Sequence, residues 1–600
     1  MCGIAAVVTP GADLYLEDPV SRMVAALRHR GPDSQGVHRF KRCTLGSARL
    51  SVVDIEGGRQ PILSNDAALG ITFNGAIYGF RELKRHLCDY PFRTGTDTEV
   101  ILALYAKHGD GFLRHLPGMF AFALWDDRRQ TLICARDRFG EKPLYYAFAP
   151  TGEFLVASEI KSLLASGLID PILNACAVSH YLVRLHVHPS HTIYTNVHIL
   201  PPAHMLRFRN GRLRVERYWQ PPDVLEDVPM EDAVERFRHL FDTAVRRQLV
   251  ADVPVGVLLS GGVDSSTVAA AASRHQPAVR TFSFGFREGV ENELPFARGM
   301  ADRCRTSHFE LDDDNADIPA LLMRMQTIYD EPFADSSNIP TFLICEAARQ
   351  HVTVALGGDG ADELLGGYVF WARQFLEPPS PPKMQSAMQR VSRWLGRRWL
   401  PNTPVGSPTV RRYSQGFRNY FTLEEQKSLG ISAGSNGLID HSRYRRDTVD
   451  DMLRFDMELY LPGDILVKTD RASMANSLEL RTPFLDVDLA NFCLSLPDTL
   501  KVDLDREKIL LRQAYAPMWT PEVRARPKQG FGGPMAAWLR TPGMSELKRD
   551  FLEDRAQKIF SVLDFEGVQN FVGRNTQQTW SLLVLALWMG GHACSLPARS

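Results

Sequence analysis

The chain opens Met1-Cys2-Gly3-Ile4. A small second residue lets the initiator methionine be removed, and the exposed cysteine then carries its own general base, because an α-amino group titrates near ~7.7–8.0. That makes Cys2 a candidate self-sufficient nucleophile. A second constellation is Leu258-Leu259-Ser260-Gly261-Gly262-Val263-Asp264-Ser265-Ser266, followed by Thr267-Val268 and a run of alanines. An apolar strand feeding a glycine-rich turn and then a helix aims several backbone N–H groups at one place, where the helix N-terminus adds positive potential. Such a turn can cradle phosphate, the plainer alternative being an ordinary strand-to-helix turn. It is neither a Walker A loop, since no Gly-Lys-Ser/Thr follows, nor the GxGxxG dinucleotide fingerprint. The third constellation, Gly357-Gly358-Asp359-Gly360-Ala361-Asp362-Glu363, also follows an apolar strand. Its three acids could hold Mg²⁺, a hard cation that prefers carboxylate and phosphate oxygen, or could be solvated.

The elements that must position these residues fall into two styles. Up to about residue 210, short apolar runs alternate with turn residues: CGIAAVV, CTLGSARLSVVD, LGITFNGAIY, MFAFALWD, TLICARD and EFLVASE. These read as strands of an α+β domain. One helix is expected over Thr98 to His108, with Asp97 as its N-cap. The Pro- and acid-rich stretch YWQPPDVLEDVPMED marks a linker, placed at 215–232, between a domain over 2–214 and a second over 233–590. The second domain begins with an amphipathic helix, Glu231 to Val250. Strand, loop and helix then alternate through VPVGVLL, TFSFGF and VTVAL, the pattern of a parallel α/β sheet. Residues 377–409 are rich in proline and read as a surface excursion.

Composition narrows the partners. Six hundred residues at 44% hydrophobic and 23% charged suit a globular chain of two to four domains, at roughly 100–250 residues each. A net charge of −1 gives nucleic acid or a membrane surface no long-range attraction, so small molecules are the expected partners. Nine cysteines without CxxC pairs fit reduced thiols rather than a disulfide framework or a structural zinc site. No signal peptide or membrane span is evident, and the chain is read as cytoplasmic and complete.

Company sharpens the first site. MCGI, Arg28-His29-Arg30-Gly31-Pro32-Asp33-Ser34, Ala48-Arg49-Leu50-Ser51-Val52-Val53-Asp54, Phe73-Asn74-Gly75 with Ile77-Tyr78, and Thr96-Asp97-Thr98-Glu99, in that order, resemble the class II, N-terminal-nucleophile glutamine amidotransferase domain. The resemblance implies an αββα sandwich in which Cys2 attacks the glutamine amide and releases ammonia. Asn74 and the Gly75 N–H would form the oxyanion hole, Arg49 would grip the α-carboxylate and Asp97 the α-ammonium. Leu50, Ser51, Val52, Val53 and Ala76 would complete the glutamine pocket. A salt bridge between Arg49 and Asp97 is the plainer alternative.

SGGVDSS is similar to the pyrophosphate loop of the N-type ATP pyrophosphatases. With Asp330-Glu331-Pro332-Phe333-Ala334-Asp335, Lys468-Thr469-Asp470-Arg471, Arg481-Thr482-Pro483-Phe484-Leu485-Asp486 and Arg526-Pro527-Lys528-Gln529-Gly530-Phe531-Gly532, the second half resembles the glutamine-hydrolysing asparagine synthetase family. The resemblance implies adenylation of a carboxylate, normally aspartate, by MgATP, and attack of channelled ammonia on the acyl-adenylate. Ser260, Gly261, Gly262, Asp264, Ser265 and Ser266 would hold pyrophosphate; Leu258, Phe284, Gly357 and Gly358 would contact the nucleotide. Asp264 and Asp362 would take Mg²⁺, Asp359 would serve the acyl-adenylate step, and Lys528 would stabilise developing negative charge. The family often forms dimers, so a homodimer is possible, and the sequence leaves the oligomeric state open. Two other readings share these residues: amidation of a different carboxylate, and a noncatalytic paralogue.

One position departs from the pattern. The family reads Asn-Gly-Glu-Ile-Tyr-Asn where this chain has Asn74-Gly75-Ala76-Ile77-Tyr78-Gly79. The carboxylate that helps Asp97 hold the glutamine ammonium is missing. A charge-assisted hydrogen bond is worth about 1.5–3 kcal/mol, so the expectation is glutamine hydrolysis with KM raised roughly ten- to a hundred-fold.

Overall fold

The computed structural model describes residues 1–11, 17–225, 227–286, 292–312, 316–368, 408–416, 419–431, 440–444, 448–503 and 505–592. The N-terminal half stacks two six-stranded antiparallel sheets. In the strand Cys2–Val8 every residue is buried, which the period-2 alternation explains. Ile4, Ala6 and Val8 face the second sheet's Ala121, Ala123 and Trp125, while Ala5 and Val7 pack against Val20, Met23 and Val24 of the helix Glu17–Ala25. On the far side, Ile71, Phe73, Phe120 and Phe122 pack on Val100, Ile101 and Leu104 of the helix Thr98–His108. Helix, sheet, sheet, helix is the expected sandwich.

The helix Thr98–His108 has the expected bounds and Asp97 stands at its N-cap, but without a side-chain capping bond; its carboxylate instead accepts from the Ile77 N–H at 2.8 Å. The linker is shorter than the Pro-rich composition suggests. The strand Arg212–Arg217, paired with His204–Arg209, occupies its first residues, and the amphipathic helix begins at Met230 and ends at Gln248. The excursion expected at 377–409 falls, up to residue 407, outside the described residues.

The second half is a five-stranded parallel sheet in the order Ser307–Asp312, Arg280–Gly285, Val255–Leu258, Val354–Leu356, Glu479–Arg481. From the central strand Val255–Leu258 the chain first winds to one side and then returns to build the other. Loops leaving the strand ends at such a reversal diverge and open a crevice. The two glycine-rich loops follow the strands on either side of that point. Among the described residues no helix is long and apolar enough to cross a membrane.

Candidate active sites

Strand pairing places the first site. Cys2 lies opposite Arg49 in the ladder between Cys2–Val8 and Cys43–Arg49. The next-sheet strand Leu69–Ala76 brings Asn74, Gly75 and Ala76 to the same end. The Cys2 N–H donates to Asn74 Oδ1 at 3.1 Å, and Gln60 Nε2 lies 3.6 Å from Cys2 Sγ while its Oε1 accepts from the Phe73 N–H at 2.6 Å. Asn74 Nδ2 is buried without a hydrogen-bond partner. A buried orphan donor beside a thiol is what an oxyanion would satisfy. At Gly75 a Cβ would stand 2.1 Å from the Met119 carbonyl, so the close approach of the two strands excludes any side chain. Burial is the main cause of the raised Cys2 thiol pKa, opposed by the neighbouring α-ammonium.

A pocket joins Cys2, Arg49, Leu50, Val52, Val53, Gly75, Ala76 and Asp97. The Arg49–Asp97 salt bridge is not formed: Arg49 donates to the carbonyls of Val53, Asp54 and Ile55 at 2.7–3.1 Å. Asp97, with its pKa raised by burial, bonds Ile77 N–H and the Thr96 hydroxyl. Ser51 is not in the pocket wall; its N–H donates to Asp33 Oδ2. Glu479 and Arg481, from the edge strand of the second domain, complete the wall.

At the crevice, the Ser260–Ser265 turn is internally bonded, Ser265 Oγ accepting from the Ser260 N–H and meeting Ser260 Oγ at 3.1 Å. Gly261 has φ +73°, and a Cβ there would meet the Ala297 N at 2.6 Å. Gly262 leads into the helix Val263–His275, and Ser266 Oγ is buried without a partner. The second loop touches the first: a Cβ on Gly358 would be 3.0 Å from Asp264 Cβ, while Gly357 is tied to the sheet by its N–H bond to the Arg481 carbonyl at 2.8 Å. Leu258 is half-buried, and Phe284 is packed in the core against Phe286, ring centroids 5.2 Å apart.

The acids of the second loop do not converge as a trio. Glu363 accepts from the Tyr368 hydroxyl, its pKa pushed up to about 7 by burial. Burial raises the Asp359 pKa, as do the charges of Asp362 and Asp264, while Lys468 and a bond to Thr469 oppose the shift. Asp362 instead pairs across the crevice with Asp264, both meeting the fully buried Lys508 ammonium at 2.5–2.7 Å. Lys528 Nζ adds a bond to Asp362 at 2.5 Å. Among the described residues no group of three His, Cys, Asp or Glu forms a metal site. Two carboxylates focused on one cation, the Lys508 ammonium, nevertheless fit Mg²⁺ in charge and ligand type.

Residues 236–590 match the asparagine synthase family, and residues 1–219 match the glutamine amidotransferase domain family. The chain belongs to the asparagine synthase family. Asparagine synthetase [glutamine-hydrolyzing] 1 of Bacillus subtilis is 30% identical over 97% of this chain and 94% of its own. Asparagine synthetase [glutamine-hydrolyzing] 3 of the same organism is 30% identical over 88% of this chain and 87% of its own. Asparagine synthetase [glutamine-hydrolyzing] 3 of Arabidopsis thaliana is 35% identical over 62% and 61%.

Three residues of this asparagine synthase chain were not singled out by sequence reading. Gln60 and Glu479 stand in the pocket, and Lys508 stands in the crevice. None sits in a motif whose residue types suggest chemistry. The RHRGPDS stretch did carry a signal, and its Arg30 has a definite place. Fully buried, it donates to the Cys2 carbonyl at 3.2 Å, to Glu159 at 2.6 Å and to both oxygens of Asp470 at 2.8 Å.

Proposed function

We propose that the chain is a glutamine-dependent asparagine synthetase, an ATP-dependent carbon–nitrogen ligase. One observation carries this reading. The wall of the nucleophile's pocket is completed by Glu479 and Arg481, the edge strand of the same sheet whose central loops form the phosphate crevice.

With Met1 removed, the Cys2 α-amine takes the thiol proton as Sγ attacks the glutamine amide carbon. The oxyanion forms against Asn74 Nδ2 and the Gly75 N–H, and the proton is returned to the departing ammonia. Water then hydrolyses the thioester to glutamate. Arg49 holds the α-carboxylate after exchanging its loop carbonyls for a bidentate partner. In the crevice the aspartate β-carboxylate attacks the α-phosphorus of ATP and expels pyrophosphate into the Ser260–Ser266 turn. Asp264 and Asp362 would hold Mg²⁺, which would supply charge neutralisation to the phosphates. Lys508 and Lys528 move from those carboxylates to phosphate oxygen, and Asp359 faces the acyl-adenylate. Ammonia displaces AMP to give asparagine. The buried setting keeps ammonia close to its target and away from bulk water.

Pyrophosphate release over a panel of carboxylic acids, with ATP, Mg²⁺ and ammonia, tests the acceptor. Aspartate is expected to turn over, with asparagine and AMP formed in equal amounts by mass spectrometry. Turnover of another acid with aspartate inert would overturn the assignment.

A further inference from the structure

The pocket around Cys2 lacks a carboxylate at position 76, yet it contains a second buried carboxylate from elsewhere. Glu479 is 1% exposed and lies in the strand Glu479–Arg481, where the alternation sends Glu479 and Arg481 to the same face. Arg481 Nε donates to Glu479 Oε1 at 2.7 Å, and Arg481 is anchored in turn on the carbonyls of Gln248 and Val250. The other oxygen, Oε2, receives a primary ammonium, the α-amino group of Met1, at 2.7 Å. Met1 fills the slot between Leu50, whose N–H donates to the Met1 carbonyl at 3.0 Å, and Glu479.

Removal of Met1, which the amidotransferase reading requires, empties that slot and leaves Glu479 Oε2 with an open acceptor. The slot is continuous with Ala76, Asp97 and Arg49. An α-amino acid needs one cation for its carboxylate and anions for its ammonium. Arg49 supplies the first. Asp97 spends oxygens on Ile77 N–H and Thr96, so it is half committed. Glu479 is the remaining anion, and with Met1 gone the Arg481 guanidinium still bonds its Oε1 at 2.7 Å and favours its charged form.

We infer that Glu479, from the synthetase domain, binds the α-ammonium of glutamine in place of the carboxylate that Ala76 lacks. The inference rests on the amidotransferase reading of Cys2 and makes the glutamine pocket a two-domain site. A methyl group at 76 fits this arrangement, since a third carboxylate beside Glu479 and Asp97 would crowd three anions in a buried space.

The test is a kinetic cycle on the full-length chain with Glu479→Gln, Ala76→Glu and the double variant. Glutamate formation is followed against glutamine concentration, and asparagine formation is followed with ammonia. Glu479→Gln should raise KM for glutamine at least tenfold, with kcat and ammonia-dependent synthesis within about threefold of wild type. Ala76→Glu should recover most of that loss in the Glu479→Gln background while changing the wild-type KM less than threefold. If Glu479→Gln destabilises the chain, Ala76→Glu alone decides: a KM lowered tenfold or more overturns the inference. Unchanged KM in Glu479→Gln also overturns it. So does unchanged KM with glutamate produced in excess of asparagine, which would make Glu479 an exit contact for ammonia. A wild-type chain that makes asparagine from ammonia but hydrolyses no glutamine at any concentration refutes the underlying reading instead.

Discussion

Asn74 does two things with one amide. Its oxygen fixes the Cys2 backbone, and its nitrogen is left as a buried donor with nothing to bond. Leaving such a donor unpaired costs about 1–3 kcal/mol, which a developing oxyanion would return at the moment of attack. Asn74→Ala is therefore expected to lower kcat for glutamine hydrolysis by about 10²–10³-fold. Ammonia-dependent asparagine formation by the same variant should stay near the wild-type rate, and parallel assays with glutamine and ammonium chloride check this. At this scale the sequence points to residues whose types and spacing suggest chemistry, Cys2, Asn74-Gly75 and SGGVDSS, and the fold sets the first of these beside Asn74. Lys508 and Glu479 were not legible. A single lysine in Glu507-Lys508-Ile509 or a glutamate in Leu478-Glu479-Leu480 carries no local pattern, and both gain their meaning only from partners more than a hundred residues away.

Among the elements, strands with strong alternation or continuous burial were readable, as Cys2–Val8 and Met119–Asp126 illustrate. The exposed strand Arg212–Arg217 was not, because its Arg-Leu-Arg-Val-Glu-Arg sequence has charge where a buried strand has apolar side chains, and it merged with the Pro-rich linker. The loop Asp330–Asp335 shows how an element can be tuned by pH. Glu331 accepts the Ile193 N–H at 2.7 Å across the two halves, and burial pushes its pKa up to about 7. A carboxyl displaced upward binds more protons folded than unfolded, so the stability it contributes is full below the unfolded value, 4.5, and is lost as pH rises through about 7. Glu331→Gln keeps a carbonyl acceptor and has no charge to bury. Thermal unfolding should show the variant more stable than wild type at pH 8, by about 1–3 kcal/mol, with the difference vanishing near pH 4.5. An advantage of equal size at both pH values would contradict this assignment.

For the whole molecule, the two halves of the chain are joined by a buried charge network. Arg30 connects the Cys2 strand to Asp470, and Arg471 meets Glu159, Asp470 and the Tyr145 hydroxyl at 3.0–3.4 Å. Removing one partner from such a network typically costs about 3–5 kcal/mol, because the other is left charged and buried. The two halves are thus held in fixed register, with Met1, Leu50, Ala76 and Tyr78 packed into the same apolar cluster as the synthetase sheet's Val255 and Leu356. The sequence announced two domains but not this joint, since ion pairs between distant segments leave no periodic trace. On the proposed function, Cys2 supplies ammonia to a separate ATP-dependent centre in the same chain. Asparagine and pyrophosphate formation by Cys2→Ala, measured with glutamine and with ammonia, tests it most directly. No product is expected with glutamine and near wild-type product with ammonia; glutamine-dependent asparagine formation surviving in Cys2→Ala would rule this role of Cys2 out.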